Sequence, residues 1–204
     1  MHNTYDYDYD DADNVYKDAS TGVLKNLLEI SDSEQLLYAE SGFVTKRLRE
    51  LHESPIKVLS SNELLAIHHY LFQDVYAWAG KVRTVELSKG ATTFFQTKRF
   101  SQGFLYIDNL VSAFLTANID IKGDSEMLAN ILDSVNYLHP FREGNGRAQR
   151  EFIRSLALQK GYTIDLNSFS DTSIMDDYMS GTINGDVNQL TELISRLLVF
   201  TAPT

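Results

Sequence analysis

The sequence contains no cysteine and only three prolines. It also has no apolar run near the roughly 18 residues that a membrane-spanning helix requires. The lack of cysteine excludes disulfides, thiolate zinc sites and cysteine nucleophiles, and it is compatible with a reducing compartment. The first ten residues, MHNTYDYDYD, lack the basic start and apolar stretch of a signal peptide. We therefore expect a soluble intracellular protein without a membrane partner.

Basic residues are also scarce. Lys and Arg number 18 against 28 Asp and Glu, which gives a formal net charge of −10. A nucleic-acid-binding face needs an excess of basic residues, so the composition disfavours nucleic acid as a partner. With 204 residues, 43% of them hydrophobic, the chain is long and apolar enough for one domain with a core.

The start of the chain differs from the rest. Residues 5–13 read YDYDYDDAD, which alternates tyrosine with aspartate and shows no helical pattern. We predict an acidic, flexible arm over residues 1–17 and a single folded domain over residues 18–200.

Apolar residues recur at helical spacing through most of the remaining chain. The predicted helices begin near Thr21, Ser33, Asn62, Phe104, Met127, Arg147 and Val187. The helix from Ser33 ends at Pro55, the helix from Asn62 ends near Trp78, and the helix from Val187 ends at Phe200. Residues 82–97, VRTVELSKGATTFFQT, are instead rich in β-branched and aromatic residues around Lys89-Gly90. This segment predicts a short β-hairpin, the only strong strand signal in the chain.

The densest cluster of chemically active residues is HPFREGNGRAQR, residues 139–150. Pro140 disfavours helix in the residue before it, so His139 is expected at a break in the backbone. Gly144-Asn145-Gly146 can point successive N–H groups into one concavity, and a helix starting near Arg147 adds its free amides and dipole. These features predict an anion site, of which phosphate is the common occupant.

Four further side chains extend this site. Arg147 and Arg150 are three residues apart on one helix face, and arginine binds phosphate through a planar fork. Glu143 is placed to hold Mg²⁺, which takes one or two carboxylates together with water and phosphate oxygens. His139 can accept a proton near neutral pH. Each feature alone has an ordinary structural reading, but together they predict phosphoryl or nucleotidyl transfer.

The motif resembles that of the Fic family, His-x-Phe-x-Asp/Glu-Gly-Asn-Gly-Arg-x-x-Arg, at every defined position. The stretch IHHYLFQDVYAWAGKVRTVELSKGATTF, residues 67–94, is similar to the family's helix and β-hairpin "flap". The resemblance covers roughly residues 18–198. It implies an all-α Fic fold, a helical bundle with a short β-hairpin flap beside the active-site loop. It also implies protein AMPylation, the transfer of AMP from ATP to a Tyr, Thr or Ser hydroxyl.

The resemblance further implies a role for each motif residue. His139 would be the general base, and Glu143 would bind Mg²⁺. The anion hole would be formed by Gly144, Asn145 and Gly146, with Asn145 contacting the α-phosphate. The β- and γ-phosphates would be held by Arg147 and Arg150. Lys89 and Gly90 of the flap would lie at the nucleotide, where the flap would also hold the target protein by strand addition. A glycine at position 146, where the Doc-like branch often has lysine, favours AMP transfer over phosphorylation.

Many Fic proteins are restrained by a helix with the pattern Ser/Thr-x-x-x-Glu-Gly/Asn, and no glutamate of this chain fits that pattern. A separate small antitoxin could supply such a helix, or the chain could be uninhibited. We expect a toxin or effector that acts in the cytoplasm or is delivered into a host cell. The alternatives are a transferase that uses another nucleotide or phosphate donor, and a catalytically silent ATP-binding module.

Overall fold

A computed structural model describes residues 7–9, 14–89, 92–167 and 172–201. In this part of the chain, helices account for most residues and the strands are short, as predicted. The helices are α1 Ser33–Glu53, α2 Asn62–Phe72, α3 Phe100–Thr116, α4 Ile121–Leu138, α5 Asn145–Leu158, α6 Thr172–Asn184 and α7 Val187–Leu197. The strands are β1 Tyr7–Tyr9, β2 Leu87–Lys89, β3 Thr92–Thr93, β4 Tyr162–Thr163 and β5 Val199–Phe200. Among the described helices, we find none with the length and apolarity to cross a bilayer.

Helix α5 lies at the centre of the bundle and carries the second half of the sequence motif. It contacts α2 on one side and α4 on another, and α4 in turn packs against α3 and α7. Most of its apolar side chains are fully buried, namely Ala148, Phe152, Ile153, Leu156 and Ala157. A helix buried on most of its circumference cannot move without its neighbours, so the start of α5 is a fixed point of the fold.

Helix α1 begins and ends where the sequence predicts. The carboxylate of Asp32 accepts a hydrogen bond from the Gln35 amide at 2.9 Å, which caps the first turn. The helix ends at Glu53, just before Pro55. Helix α2 is shorter than predicted and stops at Phe72 rather than near Trp78.

The helix predicted from Thr21 through Leu28 is absent. Asn26 donates from its side chain to the carbonyls of Leu24 and Ile30, and its Oδ1 accepts from the amides of Leu28 and Ile30. This side chain supplies local partners that a helix would otherwise provide. Leu27 donates its amide to the Val75 carbonyl at 2.8 Å, so the segment is tied to the residues just after α2.

The hairpin is confirmed as β2 and β3, but it is not the only strand structure among the described residues. Strands β4 and β5 pair antiparallel, because the chain turns extended after Leu197 instead of remaining helical to Phe200. Helix α6 was not predicted either. The arm predicted over residues 1–17 is attached to the domain where the structure describes it. Tyr16 is buried, and residues 7–9 form β1 against β2.

Candidate active site

The loop between α4 and α5 holds His139 at the break that the sequence predicts. His139 has a left-handed backbone, with φ 43° and ψ 60°, and it caps the end of α4. The fully buried Arg83 fixes this turn. Its Nε donates to the His139 carbonyl at 2.9 Å, and its amide donates to the Pro140 carbonyl at 2.7 Å. The uncommon backbone conformation is therefore maintained by contacts from a segment more than fifty residues away.

The environment of the His139 ring fixes which nitrogen carries the proton. Nδ1 lies 3.1 Å from the backbone carbonyl of Asn136, which can only accept a hydrogen bond. Nδ1 of the neutral ring is therefore protonated, and Nε2 has the lone pair. The Phe94 ring stacks on His139 with the ring centroids 3.9 Å apart. Because Phe94 directly follows β3, the hairpin covers the face of this imidazole.

A second histidine, His68, packs against the motif loop and hydrogen-bonds to it. His68 of α2 is fully buried and stacks on the equally buried Phe141, with ring centroids 3.7 Å apart. The Gly80 amide donates to its Nδ1 at 2.8 Å, so its Nε2 donates to the Glu143 carbonyl at 2.9 Å. Burial lowers the pKa of His68 to about 3, although the bond to Glu143 acts in the opposite direction. His68 is thus a neutral support for the motif loop.

The low pKa of His68 makes stability depend on pH. The unfolded chain binds a proton at this histidine below its ordinary pKa of 6.5, whereas the folded protein does so only near pH 3. Stability is therefore expected to fall as the pH drops through this window, by up to about 1.4 kcal/mol per pH unit. Melting temperatures measured between about pH 7 and pH 5 should decline less steeply in His68→Gln than in the wild type.

The control for this prediction is His52→Gln, since His52 lies exposed on the last turn of α1. It should keep the wild-type dependence of melting temperature on pH. An unchanged dependence in His68→Gln would show that other groups dominate the acid response.

Gly144 allows the turn from this loop into α5. Its φ is +80°, and a Cβ at this position would lie 2.3 Å from Cζ of Phe72. Both the backbone conformation and the close ring require glycine. Asn145 then clamps the loop, since its Oδ1 accepts from the Phe141 amide at 2.9 Å and its Nδ2 donates to the Phe141 carbonyl at 2.8 Å. The first amides of α5 beyond this clamp have no partner within the helix, and they lie where the sequence predicts the anion nest.

The two arginines of the motif have different surroundings despite their spacing. Arg150 donates from Nε to Oδ1 of Asn167 at 2.6 Å, and its guanidinium lies 4.9 Å from the ring centroid of Tyr178. Arg147 turns towards α1, where Nη1 lies 2.5 Å from Oε1 of Glu40. Arg150 therefore borders the nest on the side of the C-terminal helices, whereas Arg147 is engaged by a carboxylate.

Glu40 of α1 contacts both Arg147 of α5 and Tyr76, which follows α2. It is buried and accepts hydrogen bonds from Arg147 and from the Tyr76 hydroxyl. Arg147 also lies 3.4 Å from Oε1 of Glu143, and its guanidinium lies 4.7 Å from the Phe72 ring centroid. Burial alone would lower the pKa of Arg147, but Glu40 and Glu143 outweigh it and raise the pKa above its usual range. The order Glu40–Arg147–Glu143 places a fixed cation beside the predicted metal carboxylate.

Comparison with known proteins shows the family to which the chain belongs. The family model described as "Fic/DOC family" matches residues 58–157, which include the flap, the loop of His139 and most of α5. The chain belongs to the Fic/DOC family.

Curated Fic relatives match over most of this chain. The protein adenylyltransferase VbhT of Bartonella schoenbuchensis is 38% identical over 159 residues, which are 77% of this chain and 33% of VbhT. The chain thus spans about a third of VbhT. The probable protein adenylyltransferase Fic of Salmonella typhimurium is 29% identical over 177 residues, which are 86% of this chain and 88% of that protein.

Solved Fic domains share the fold. The N-terminal Fic domain of a VirB-translocated effector of Bartonella quintana, with bound ADP, has a TM-score of 0.81 at 19% identity, over 92% of this chain and 95% of that domain. BepC of Bartonella tribocorum, with bound AMPPNP, has a TM-score of 0.79 at 21% identity, over 92% and 98% of the two chains. At these identities the likeness shows the all-α Fic fold.

The structure brings most of the predicted Fic site residues together. His139, Glu143, Gly144, Asn145, Gly146 and Arg150 lie on one loop and the first turns of α5. Lys89 ends β2, and Gly90 lies outside the described residues. Sequence reasoning missed Glu40, His68, Arg83 and Asn167 as partners of the site. His68 stands among apolar residues in the sequence, and this position gives no sign of its contact with the loop.

Proposed function

We propose that this chain is a protein adenylyltransferase that moves AMP from ATP to a Tyr, Thr or Ser hydroxyl of a target protein, and that residues 18–200 form its catalytic domain. The observation that carries the proposal is the geometry of His139. Its Nδ1 is bonded to the Asn136 carbonyl, which leaves the lone pair on Nε2, and the residue ends α4 a few positions before the glycine turn into α5. A nucleotide-binding module needs no proton acceptor at that position. The names of the curated relatives support the same reaction.

In the proposed reaction, some residues would bind ATP and His139 would act on the target hydroxyl. The amides at the start of α5 and the guanidinium of Arg150 would hold the phosphates of ATP. His139 would take the proton of the target hydroxyl, whose oxygen attacks the α-phosphorus while pyrophosphate leaves. Asn145, which clamps the backbone of Phe141, would keep the nest rigid. Asn145 would also contact the α-phosphate, and Arg147 would hold the β- and γ-phosphates.

Mg²⁺ fits the donor set of this site. The Glu143 side chain is 35% exposed. Within the described residues, no group of three or more His, Asp or Glu could form a metal cage. A single carboxylate suits Mg²⁺, which keeps several waters and takes phosphate oxygens as its other ligands. When bound with ATP, the ion would neutralise charge on the phosphates. The Gly144 amide donates to Oε1 of Glu143 at 2.8 Å and orients this carboxylate.

The flap and the sequence motif indicate the chemistry of a target and of a regulator. The target would dock on the flap near Ser88 and Lys89 as an added strand. A small antitoxin with a Ser/Thr-x-x-x-Glu helix could restrain the enzyme, since no such pattern occurs in the sequence. Reaction in the cytoplasm, or in the cytosol of a host cell after delivery, is consistent with the secreted Bartonella effectors among the structural neighbours.

The proposal is tested by incubating the protein with a cell lysate, Mg²⁺ and one of several donors: ATP, GTP, CTP, UTP or CDP-choline. Mass spectrometry should find AMP-sized adducts on protein hydroxyls with ATP alone. Adducts from another donor would establish the rival transferase. ATP binding without any adduct would favour the silent module.

Replacing Arg150 with alanine should weaken ATP binding about 10- to 100-fold, because hydrogen bonds to charged groups contribute roughly 1.5–3 kcal/mol. Calorimetric titration with ATP and Mg²⁺ measures this change. Arg49→Ala is the matched control, since Arg49 is exposed on α1, away from the motif. Equal affinities for the wild type and Arg150→Ala would remove Arg150 from the phosphate site.

A further inference from the structure

The side chain of Arg83 is fully buried and reaches both the flap and the motif loop. Its Nε donates to the His139 carbonyl at 2.9 Å. Its Nη1 donates to the Val85 carbonyl at 2.7 Å, and its Nη2 donates to the Phe95 carbonyl at 2.6 Å. Val85 precedes β2 and Phe95 follows β3, so these two carbonyls belong to the two ends of the flap. One planar guanidinium therefore joins the flap to the turn that holds His139.

The two ends of the flap are also joined to each other. Oε1 of Glu86 accepts from the Thr97 amide at 3.1 Å and from the Thr97 hydroxyl at 2.6 Å. Oε2 of Glu86 lies 3.5 Å from Nη1 of Arg83. Within the hairpin, the Phe94 amide donates to the Leu87 carbonyl at 3.1 Å. The hairpin is thus closed at its base as one unit, and Arg83 contacts that unit at the closure.

The closed hairpin meets the catalytic histidine through a ring contact. The Phe94 ring stacks on the His139 imidazole with the centroids 3.9 Å apart. Beside it, the Phe95 amide donates to the Tyr137 carbonyl near the end of α4 at 3.1 Å. Stacked rings can slide over each other, whereas hydrogen bonds require a narrow range of distances and angles. The separation of the flap from the imidazole is therefore set mainly by the hydrogen bonds around Arg83.

The choice of arginine at this buried position has a geometric reason. Burial of a charge is unfavourable unless its donors are bonded, and the carboxylate that the described residues place beside Arg83, that of Glu86, is 49% exposed. Burial accordingly lowers the pKa of Arg83, although Glu86 acts in the opposite direction. An apolar side chain would fill the space without this cost but could not bond three carbonyls. Lysine could not replace the planar fork either, since its donors lie on a single nitrogen.

The ATP side of the site has separate supports. Its amides belong to α5, and Arg150 is bonded to Asn167 and lies against the Tyr178 ring. The three carbonyls that Arg83 bonds lie outside α5 and α6. Loss of the fork would therefore shift the flap relative to His139 and leave the nucleotide in place. A displacement of about 1 Å can lower an enzymatic rate by about a hundredfold.

We propose that Arg83 is a positioning residue, which sets the distance between a hydroxyl docked on the flap and the imidazole of His139. This inference rests on the proposed function. Arg83 acts through backbone carbonyls, so it controls the rate at which a docked target is modified. It does not control the affinity for ATP or the docking of the target on the flap.

Two variants of the full chain test this role. Arg83→Lys keeps the charge without the fork, and Arg83→Met removes both. Arg99→Lys is the matched control, because Arg99 lies exposed just after the flap and donates from Nε to Gln102 instead of the motif loop. Calorimetric titration with ATP and Mg²⁺ gives the affinity and the number of binding-competent molecules. Transfer of labelled AMP over a dilution series of lysate gives the maximal rate and the half-saturating lysate concentration.

The maximal rate per ATP-binding molecule should fall about 10- to 100-fold in Arg83→Lys and Arg83→Met. The ATP affinity and the half-saturating lysate concentration should stay within about twofold of the wild type, and Arg99→Lys should match the wild type throughout. Hydrogen exchange should become faster at the Phe95 amide, which bonds α4, and stay unchanged at the Phe94 amide, which bonds within the hairpin.

A measurement on the wild type tests the same coupling if the variants fail to fold. The Arg83 amide donates to the Pro140 carbonyl, and the Phe95 amide donates to the Tyr137 carbonyl. If the fork joins the flap and the motif loop into one unit, both amides should exchange through one opening with the same dependence on urea. Separate openings, with the Phe95 amide exchanging while the Arg83 amide stays protected, would overturn the inference.

Two kinetic results would also overturn the inference while the proposed function stands. A wild-type rate per ATP-binding molecule, with fewer such molecules, would show that Arg83 only stabilises the fold. An equal loss of rate and ATP affinity would show that Arg83 supports the nucleotide site. The absence of AMP adducts in the wild-type sample would instead overturn the proposed function and the inference with it.

Discussion

Replacing His139 with alanine is expected to lower the rate of AMP transfer by about two to four orders of magnitude while ATP affinity stays nearly constant. The role of the imidazole in the proposed reaction is to accept a proton at Nε2, which has the lone pair because Nδ1 is bonded to the Asn136 carbonyl. Phosphate recognition depends instead on the amides of α5 and on Arg150. Single-turnover labelling and calorimetric titration with ATP and Mg²⁺ measure the two quantities separately.

The control for this variant is His52→Ala, which removes an exposed histidine from α1 and should leave both quantities unchanged. A rate near that of the wild type would remove His139 from the role of base. A parallel loss of rate and ATP affinity would instead show that the imidazole of His139 maintains the loop.

The second large effect is expected on stability. Glu40→Gln should lower the free energy of unfolding by about 3 kcal/mol, because it removes the charge of a buried carboxylate and leaves the half-buried guanidinium of Arg147 with less compensation. Glu40 is 3% exposed, and Arg147 would then have only the more distant carboxylate of Glu143. Urea denaturation monitored by circular dichroism measures the change. Glu53→Gln, an exposed position at the end of α1, should stay within about 0.5 kcal/mol of the wild type.

The same variant distinguishes two roles for Arg147. If Arg147 positions Glu143, Glu40→Gln should raise the Mg²⁺ concentration needed for half-maximal transfer. If Arg147 binds the β- and γ-phosphates, as the motif implies, its release from Glu40 should leave the Mg²⁺ requirement unchanged and strengthen ATP binding. Wild-type stability in Glu40→Gln would contradict the reading of Glu40 as the main partner of Arg147.

Local chemistry made the motif loop predictable from the sequence. Pro140 forces the break at His139, and Gly144 supplies a backbone conformation that other residues adopt only with strain. Both effects act over one or two residues, so the break at His139 and the turn at Gly144 follow from a short stretch of sequence.

Partners distant in sequence were not predictable. Glu40 reaches Arg147 across 107 positions, and Arg83 reaches the His139 carbonyl across 56. No periodicity encodes such pairs, and the shared helix face of Arg147 and Arg150 did not reveal that each contacts a different partner. Similarly, the leucines near Asn26 have helical spacing, but the side-chain hydrogen bonds of Asn26 organise a loop instead.

The arm illustrates a third limit. Composition alone describes residues 5–13 as acidic and solvated, and a strand of three residues has too little pattern to be recognised. Residues 7–9 form a strand because the edge of β2 supplies their hydrogen-bonding partners. Pairing of this kind depends on the partner edge as much as on the strand itself.

The most direct test of the central claim is to follow separate labels on the α- and γ-phosphorus of ATP. The wild type, supplied with Mg²⁺ and lysate, should transfer the α-label to protein and release the γ-label in pyrophosphate, and His139→Ala should do neither at a comparable rate. Transfer of the γ-label to protein would contradict AMP transfer and establish phosphorylation on the same scaffold.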